Sequence, residues 1–197
     1  MLRQTLFFIC ALTCVGILSS CSGGSGDGTS SGSEGASSAS EVASQEPAAT
    51  EDSQPTNVYL NAFKDFRCSS GWTNRHGGLG RAPYSGSGSC SAAFPGESGI
   101  YNVALKAQLE FDGASPYRVS INGNTIRQGK YPYSQGKLIC DCPEHEKNCP
   151  DKIIDINAGA HQINKGDTIE FWGSDVYPCG NDSHGAYAIW RGMSFNP

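Results

Sequence analysis

The sequence predicts an all-β domain, an antiparallel β-sandwich or jelly roll, stapled by disulfides and carried behind a disordered tether. Three observations lead there. Residues 100–111 alternate strictly, with Tyr101, Val103, Leu105, Ala107, Leu109 and Phe111 on one face and Asn102, Lys106, Gln108 and Glu110 on the other, the period of a half-buried strand. Tyr117, Val119 and Ile121 alternate into Asn122-Gly123, the strongest short hairpin signal. From residue 56 onward no helical period is sustained, and short apolar runs are punctuated by Gly, Pro and Asn, the pattern of a sandwich or jelly roll.

The chain opens differently. Arg3 precedes an apolar run over residues 6–18, too short to cross a bilayer as a helix and of the length of a secretory signal. Its end, Leu18-Ser19-Ser20-Cys21, resembles the lipobox of bacterial lipoproteins. That resemblance implies cleavage before Cys21 and lipidation of Cys21, with several acyl chains holding the protein stably at a lipid bilayer. Ser22 as the next residue implies the outer membrane of a bacterium with two membranes. Residues 1–20 are then a signal peptide and residues 21–55 the lipidated cysteine and its tether. Ordinary secretion, with Cys21 an unmodified cysteine, is the alternative.

Residues 22–55 contain no aromatic residue, six acids and no Lys or Arg. Such a segment buries too little apolar surface to offset the entropy of ordering and is expected to be disordered. Its 34 residues would span roughly 30–35 Å r.m.s. as a flexible chain. Residues 56–197 are one domain by length. Without Arg3 and the tether's six acids, 13 of the 14 basic and 13 of the 19 acidic residues remain. The domain is therefore formally neutral, which argues against nucleic acid as a partner.

Within the domain, strands are expected at residues 58–63, 100–111, 117–121, 125–126, 137–140, 153–156, 168–172 and 186–195. Turns fall at 112–116 and at Lys165-Gly166-Asp167. Residues 68–90 show no strand pattern. In the last strand Arg191 interrupts the apolar side of the alternation, which a bulge at Gly192 would accommodate. Trp172 and Trp190 fall inside strands and are expected in the core.

Four segments recur in a familiar order: Gly99-Ile100-Tyr101-Asn102-Val103, Val119-Ser120-Ile121-Asn122-Gly123, Gly166-Asp167-Thr168-Ile169, and the closing stretch Ile189 to Phe195. That order resembles the jelly-roll carbohydrate-binding modules of families 6 and 35, over about half of the domain. The resemblance implies a non-catalytic module that binds polysaccharide or another glycan. Those modules often hold a structural calcium, but Asn61-Ala62 and Arg191 stand near the corresponding places, so no metal is carried over.

Six cysteines remain in the domain, Cys68, Cys90, Cys140, Cys142, Cys149 and Cys179. An even count in an exported chain implies three disulfides. Cys68 and Cys90 flank the Gly/Ser-rich stretch and are paired here. Cys140 and Cys142 are too close in sequence to pair with each other, so each bonds elsewhere; the spacing does not decide between the two arrangements left, of which Cys142–Cys149 with Cys140–Cys179 is taken as the expectation. Zinc on Cys140, Cys142, His145 and Cys149 is the competing assignment, but the spacing is not that of a finger and oxidised cysteines offer no thiolate. No cofactor is implied.

Candidate binding residues lie in three loops: Trp72, Arg75, His76 and Tyr84; Tyr131 and Tyr133; and Tyr177, Asn181, Asp182 and His184. Aromatic rings stack on the apolar faces of sugars while Asn, Asp, Arg and His reach the hydroxyls. Loops pinned by disulfides lower the ordering cost of binding. Glu110 and Asp112 are close enough to suggest a glycosidase pair, but the alternation puts Glu110 on a solvent face and Asp112 in a turn. The domain has no G-x-S-x-G or H-E-x-x-H motif. His145 and His161 are expected at the surface, away from any site. The expected function is glycan binding without catalysis. The competing classes are a protein–protein module of a cell-surface complex, marked by a wide apolar patch, and an enzyme acting on glycosides, marked by facing carboxylates in a cleft.

Overall fold

The alternation through residues 100–111 becomes the long strand β6 (Gly99–Leu109), whose Tyr101, Val103, Leu105, Ala107 and Leu109 are all buried. The structure is a computed structural model that describes residues 54–180 and 184–197; Cys21 and the tether up to residue 53 lie outside the described residues. Ahead of β6 come β1 (Val58–Asn61), β2 (Arg67–Cys68), β3 (Trp72–Arg75), β4 (Gly78–Arg81) and β5 (Ser87–Ala93). After it come β7 (Pro116–Ile121), β8 (Asn124–Lys130), the one-turn helix α1 (His145–Asn148), β9 (Lys152–Ile163), β10 (Thr168–Ser174) and β11 (Trp190–Asn196).

Two antiparallel sheets result. The first runs β3-β4-β11-β6-β9 with β1 also paired to β11, and the second runs β2-β5-β10-β7-β8. The expected Asn122-Gly123 turn joins β7 to β8, and both residues take positive φ. Between the sheets Trp190 is fully buried, edge-on to Phe66 at 4.8 Å and tilted on Phe171 at 4.3 Å. Side chains such as these stabilise by roughly 1.5–3 kcal/mol each when taken out of water.

All three disulfides are present, as Cys68–Cys90, Cys140–Cys179 and Cys142–Cys149, the pairs reached from the sequence. The register of β11 shifts between Trp190 and Gly192, so the expected bulge is there. It turns Arg191 out of the core, where its guanidinium donates to the carbonyls of His76 and Gly77 and to Gln108 Oε1.

Several expectations are corrected. Residues 137–140 form no strand; of this segment, Ile139 N–H donates to the Phe111 carbonyl. The stretch between Cys68 and Cys90 holds β3, β4 and the start of β5. Gly78 and Gly80 lie so close to the chain before β11 that a Cβ on them would stand 2.6 and 2.9 Å from Ile189 side-chain atoms. Glycine is therefore required there, and Leu79 is the only apolar side chain the strand shows. The last strand begins at Trp190, because Ala188 takes a positive φ of 49°. Trp172 is not in the core. On β10 the inward residues are Ile169, Phe171 and Gly173, and Glu170, Trp172 and Ser174 face outward.

Candidate functional site

At one end of the sandwich, four connections meet: the β3–β4 turn, the link from β6 to β7, the segment around α1, and the link from β10 to β11. Together they line a cleft of about 150 Å³ with Arg75, His76, Glu110, Asp112, His145, Asp151, His184 and Tyr187. An adjoining hollow of about 310 Å³ shares His76, His145 and Asp151 and adds Gln108, Glu146 and Arg191. Arg191 donates to Gln108 Oε1 and Gln108 Nε2 donates to Asp151 Oδ2 at 2.9 Å, so a chain of polar groups links the two.

Glu110 is not on a solvent face: it is 6% exposed. Its Oε2 accepts the Tyr187 backbone N–H at 2.7 Å, tying the approach to β11 onto the end of β6. Burial pushes this carboxyl well above the usual glutamate range, and the nearby Asp112 and Asp151 reinforce the shift. Asp112 is also raised by burial, against an opposing pull from His184, whose Nδ1 lies 3.7 Å from Asp112 Oδ2. Both carboxyls thus serve as internal fastenings for the loop end.

Of the candidate residues, Arg75, His76 and His184 come together in this cleft. Tyr84 and Tyr177 stand as a stacked pair, centroids 4.4 Å apart. The Tyr177 hydroxyl donates to Asp175 and accepts the Tyr84 N–H. Tyr177 meets Tyr187 edge-on at 6.1 Å. His145, expected away from any site, lines both hollows, because the helical turn α1 sets its ring over Phe111. Trp72 does not stand free as a platform: it packs on Phe171 and under the Arg81 guanidinium, against the core. Tyr131 is corrected as well; it is buried in the core beside Tyr117. Tyr133 is half-buried and lines neither hollow. Asn181 and Asp182 lie outside the described residues.

The rings at the loop end are largely spent internally. The Arg75 guanidinium covers Tyr187 at 3.6 Å, and Tyr177 is faced by Tyr84. Among them only Tyr84, 60% exposed, presents a broad outer face. This end offers hydrogen bonds more readily than stacking.

A second surface lies on the outer face of the β5-β10-β7-β8 sheet. Trp172 on β10 stands between Ser89 of β5 and Arg118 of β7, and Arg118 pairs across to Gln128 of β8. A shallow groove of about 500 Å³ is lined by Trp172, Pro116, Tyr117, Arg118, Gln128, Gly129 and Lys130. The Arg118 guanidinium sits 5.5 Å from the Trp172 ring centroid, a cation–π distance. A further hollow lined by Thr125, Ile126, Arg127 and Gln128 continues the groove along β8. Here an indole, hydroxyls, an amide and cations share one open strip. The signal for it was in the sequence: Ile169, Phe171 and Gly173 take the inward positions, so Trp172 takes the other face.

No family model matches the chain, and no curated protein does. Solved structures of similar shape include a family 35 carbohydrate-binding module from Clostridium thermocellum, at 12% identity over 72% of this chain and 99% of that one, TM-score 0.42. The CBM36-1 domain of a multidomain xylanase from the hindgut metagenome of Trinervitermes trinervoides matches at 14% identity, 72% and 98% coverage and TM-score 0.45. The Podospora anserina GH26-CBM35 β-(1,4)-mannanase matches at 15% identity over 73% of this chain, TM-score 0.44, and the chain spans 28% of that protein's length. Likeness of this degree leaves function to be argued from the residues themselves.

Proposed function

We propose that the domain binds carbohydrate without cleaving it, along the groove that Trp172 floors, and that lipid on Cys21 holds it at a bacterial outer membrane. The observation that carries the binding proposal is the outward Trp172 in an open groove that also presents Arg118, Gln128 and Lys130. A pyranose ring can lay its C–H face on the indole while Gln128 and Ser89 meet its hydroxyls. The loop-end cleft, rich in hydrogen-bonding groups, is the place for a second contact along an extended chain. The Cys21 anchor and the tether of residues 22–55 would display this surface away from the bilayer.

The test is affinity electrophoresis of the full chain, produced in an oxidising compartment, through gels containing plant, algal and bacterial polysaccharides. Retardation by at least one polymer is expected, and Trp172→Ala should weaken it by about tenfold or more, the equivalent of one contact of roughly 1.4 kcal/mol. Retardation that survives Trp172→Ala but is lost in Arg75→Ala would move the site to the loop end. No retardation by any polymer would overturn the proposal and favour a protein partner.

A further inference from the structure

We infer that the Trp172 groove takes an acidic polysaccharide, one carrying uronate or sulfate groups, in preference to a neutral one. The inference rests on the carbohydrate reading of the same groove and adds the ligand's charge. It comes from how a neutral domain divides its charges.

The domain has equal numbers of basic and acidic residues, yet they are not evenly spread. On the outer face of the β2-β5-β10-β7-β8 sheet stand Arg67, exposed and paired in register with the half-buried Ser91, then Arg118, and Lys130 at the groove wall. Arg127 lines the hollow that prolongs the groove. Against Arg67, Arg118 and Lys130 the same face sets one acid, Glu170, between Ser91 and Ser120. Acids gather instead around the loop-end hollows, as Glu110, Asp112, Glu146 and Asp151.

The cations of this face are also unclaimed. Among the described residues the lysine ion pairs are Lys106–Asp155, Lys147–Glu144 and Lys165–Glu97, all elsewhere. Arg67, Arg127 and Lys130 make no side-chain hydrogen bond or ion pair there, and Arg118 has only its contact with Trp172. A row of unpaired cations beside an indole repels itself unless an anion fills it. A guanidinium held next to a stacking surface is placed to grip a carboxylate or sulfate on the stacked sugar with two parallel N–H···O bonds. Lys130 adds a point charge at the other wall. The hydroxyls of Ser89 and Ser91 on β5 suit a sugar, and a site with one indole in a neutral domain suits a nucleic acid poorly.

The experiment uses pairs of polymers that differ only in charge: polygalacturonate with its methyl-esterified form, and dextran sulfate with dextran. The full chain is run in affinity gels with each, and with an oligothymidylate. The expected result is retention by at least one acidic polymer, about tenfold or more stronger than by its neutral partner, as charge-assisted hydrogen bonds require, and weakening as salt is raised. Which pair responds separates uronate from sulfate. Arg118→Gln combined with Lys130→Gln should reduce retention to that of the neutral partner, and Trp172→Ala should remove it for both. Equal retention by a charged polymer and its neutral partner, lost with Trp172→Ala, would overturn the acidic preference and leave carbohydrate binding standing. Retention unaffected by Trp172→Ala would remove the groove as the site and both readings with it. Oligothymidylate held more tightly than any polysaccharide would overturn the inference in favour of nucleic acid. Near-ultraviolet circular dichroism of each variant confirms that these surface substitutions leave the sandwich folded.

Discussion

Glu110 and Asp112 stand two residues apart where β6 ends, and their surroundings make opposite demands on ionisation to those of a surface carboxylate. Burial raises both, Glu110 far more than Asp112. In the unfolded chain Glu110 ionises near its ordinary value of 4.5, whereas the folded protein keeps the proton to much higher pH. Below that value both states hold the proton and Glu110 adds no pH dependence. Above it the folded state binds more protons than the unfolded one, so stability falls as pH rises, by up to about 1.4 kcal/mol per pH unit for such a group. Glu110→Gln keeps an acceptor for the Tyr187 N–H and removes the titration. The melting temperature of the variant, followed from pH 5 to pH 8, should decline less steeply than that of the unaltered chain and exceed it at pH 8. An equal or steeper decline would mean that Glu110 is ionised in the fold and that the Tyr187 contact rests on a carboxylate. Trp172 shows the same dependence on surroundings from the other direction. Its type suggests the core, but its parity on β10 puts it outside, and parity decides.

At the scale of elements, what could be read from the sequence was whatever announces itself in side chains. β6 and β7 carry apolar residues at every second position, and their inward sets are the expected ones; β10 alternates as well, but its inward set leaves out the Trp172 expected there. β4 was hidden because contact with Ile189 requires glycine where a strand pattern would show side chains, and β3, Trp72-Thr73-Asn74-Arg75, carries a single apolar residue. The stretch 137–140 misled in the opposite way: Leu138 and Ile139 look like strand residues, but two disulfides fix the chain around them, and Leu138 is left 38% exposed. Candidate site residues fared according to what covers them. Arg75, His76 and His184 converge because the turns that hold them share one end of the sandwich, whereas Trp72 and Tyr131 were claimed by the core. Each disulfide ties a segment with little core of its own. The Cys68–Cys90 bridge joins directly paired residues of β2 and β5, 22 apart in sequence. Loop-closure entropy values it at about 3.4 kcal/mol, against about 2.5 kcal/mol for Cys142–Cys149, whose separation is 7. Urea denaturation of Cys68→Ala/Cys90→Ala should therefore show the larger loss. Cys142→Ala/Cys149→Ala should lose less and still bind at the Trp172 groove, since neither cysteine lines it. A larger loss from the shorter loop would show that this bridge holds the loop-end hollows together by more than chain entropy.

Over the whole molecule, composition divides the work. The sandwich is formally neutral, with Arg67, Arg118 and Lys130 on one sheet face, while every acid in excess lies in residues 22–55. Six acids without a basic residue would be repelled by anionic lipid head groups, and by the polyanion we assign to the groove. Attachment would then rest on the amino terminus, since a domain without net charge has no net pull towards a bilayer. Several acyl chains on Cys21 would supply stable anchoring where one would exchange freely. Cys21→Ser removes the site of lipid attachment and leaves the three disulfide pairs of the domain untouched. In cells of a bacterium with two membranes, the unaltered chain should partition with the outer membrane and enter the detergent phase on extraction with Triton X-114. Cys21→Ser should move most of it to the aqueous phase, with polysaccharide retention unchanged. A chain that stays with the membrane after this substitution would be held through the folded domain, and the groove on the second sheet, where Arg118 and Lys130 stand unpaired, would be the first place to look for the contact.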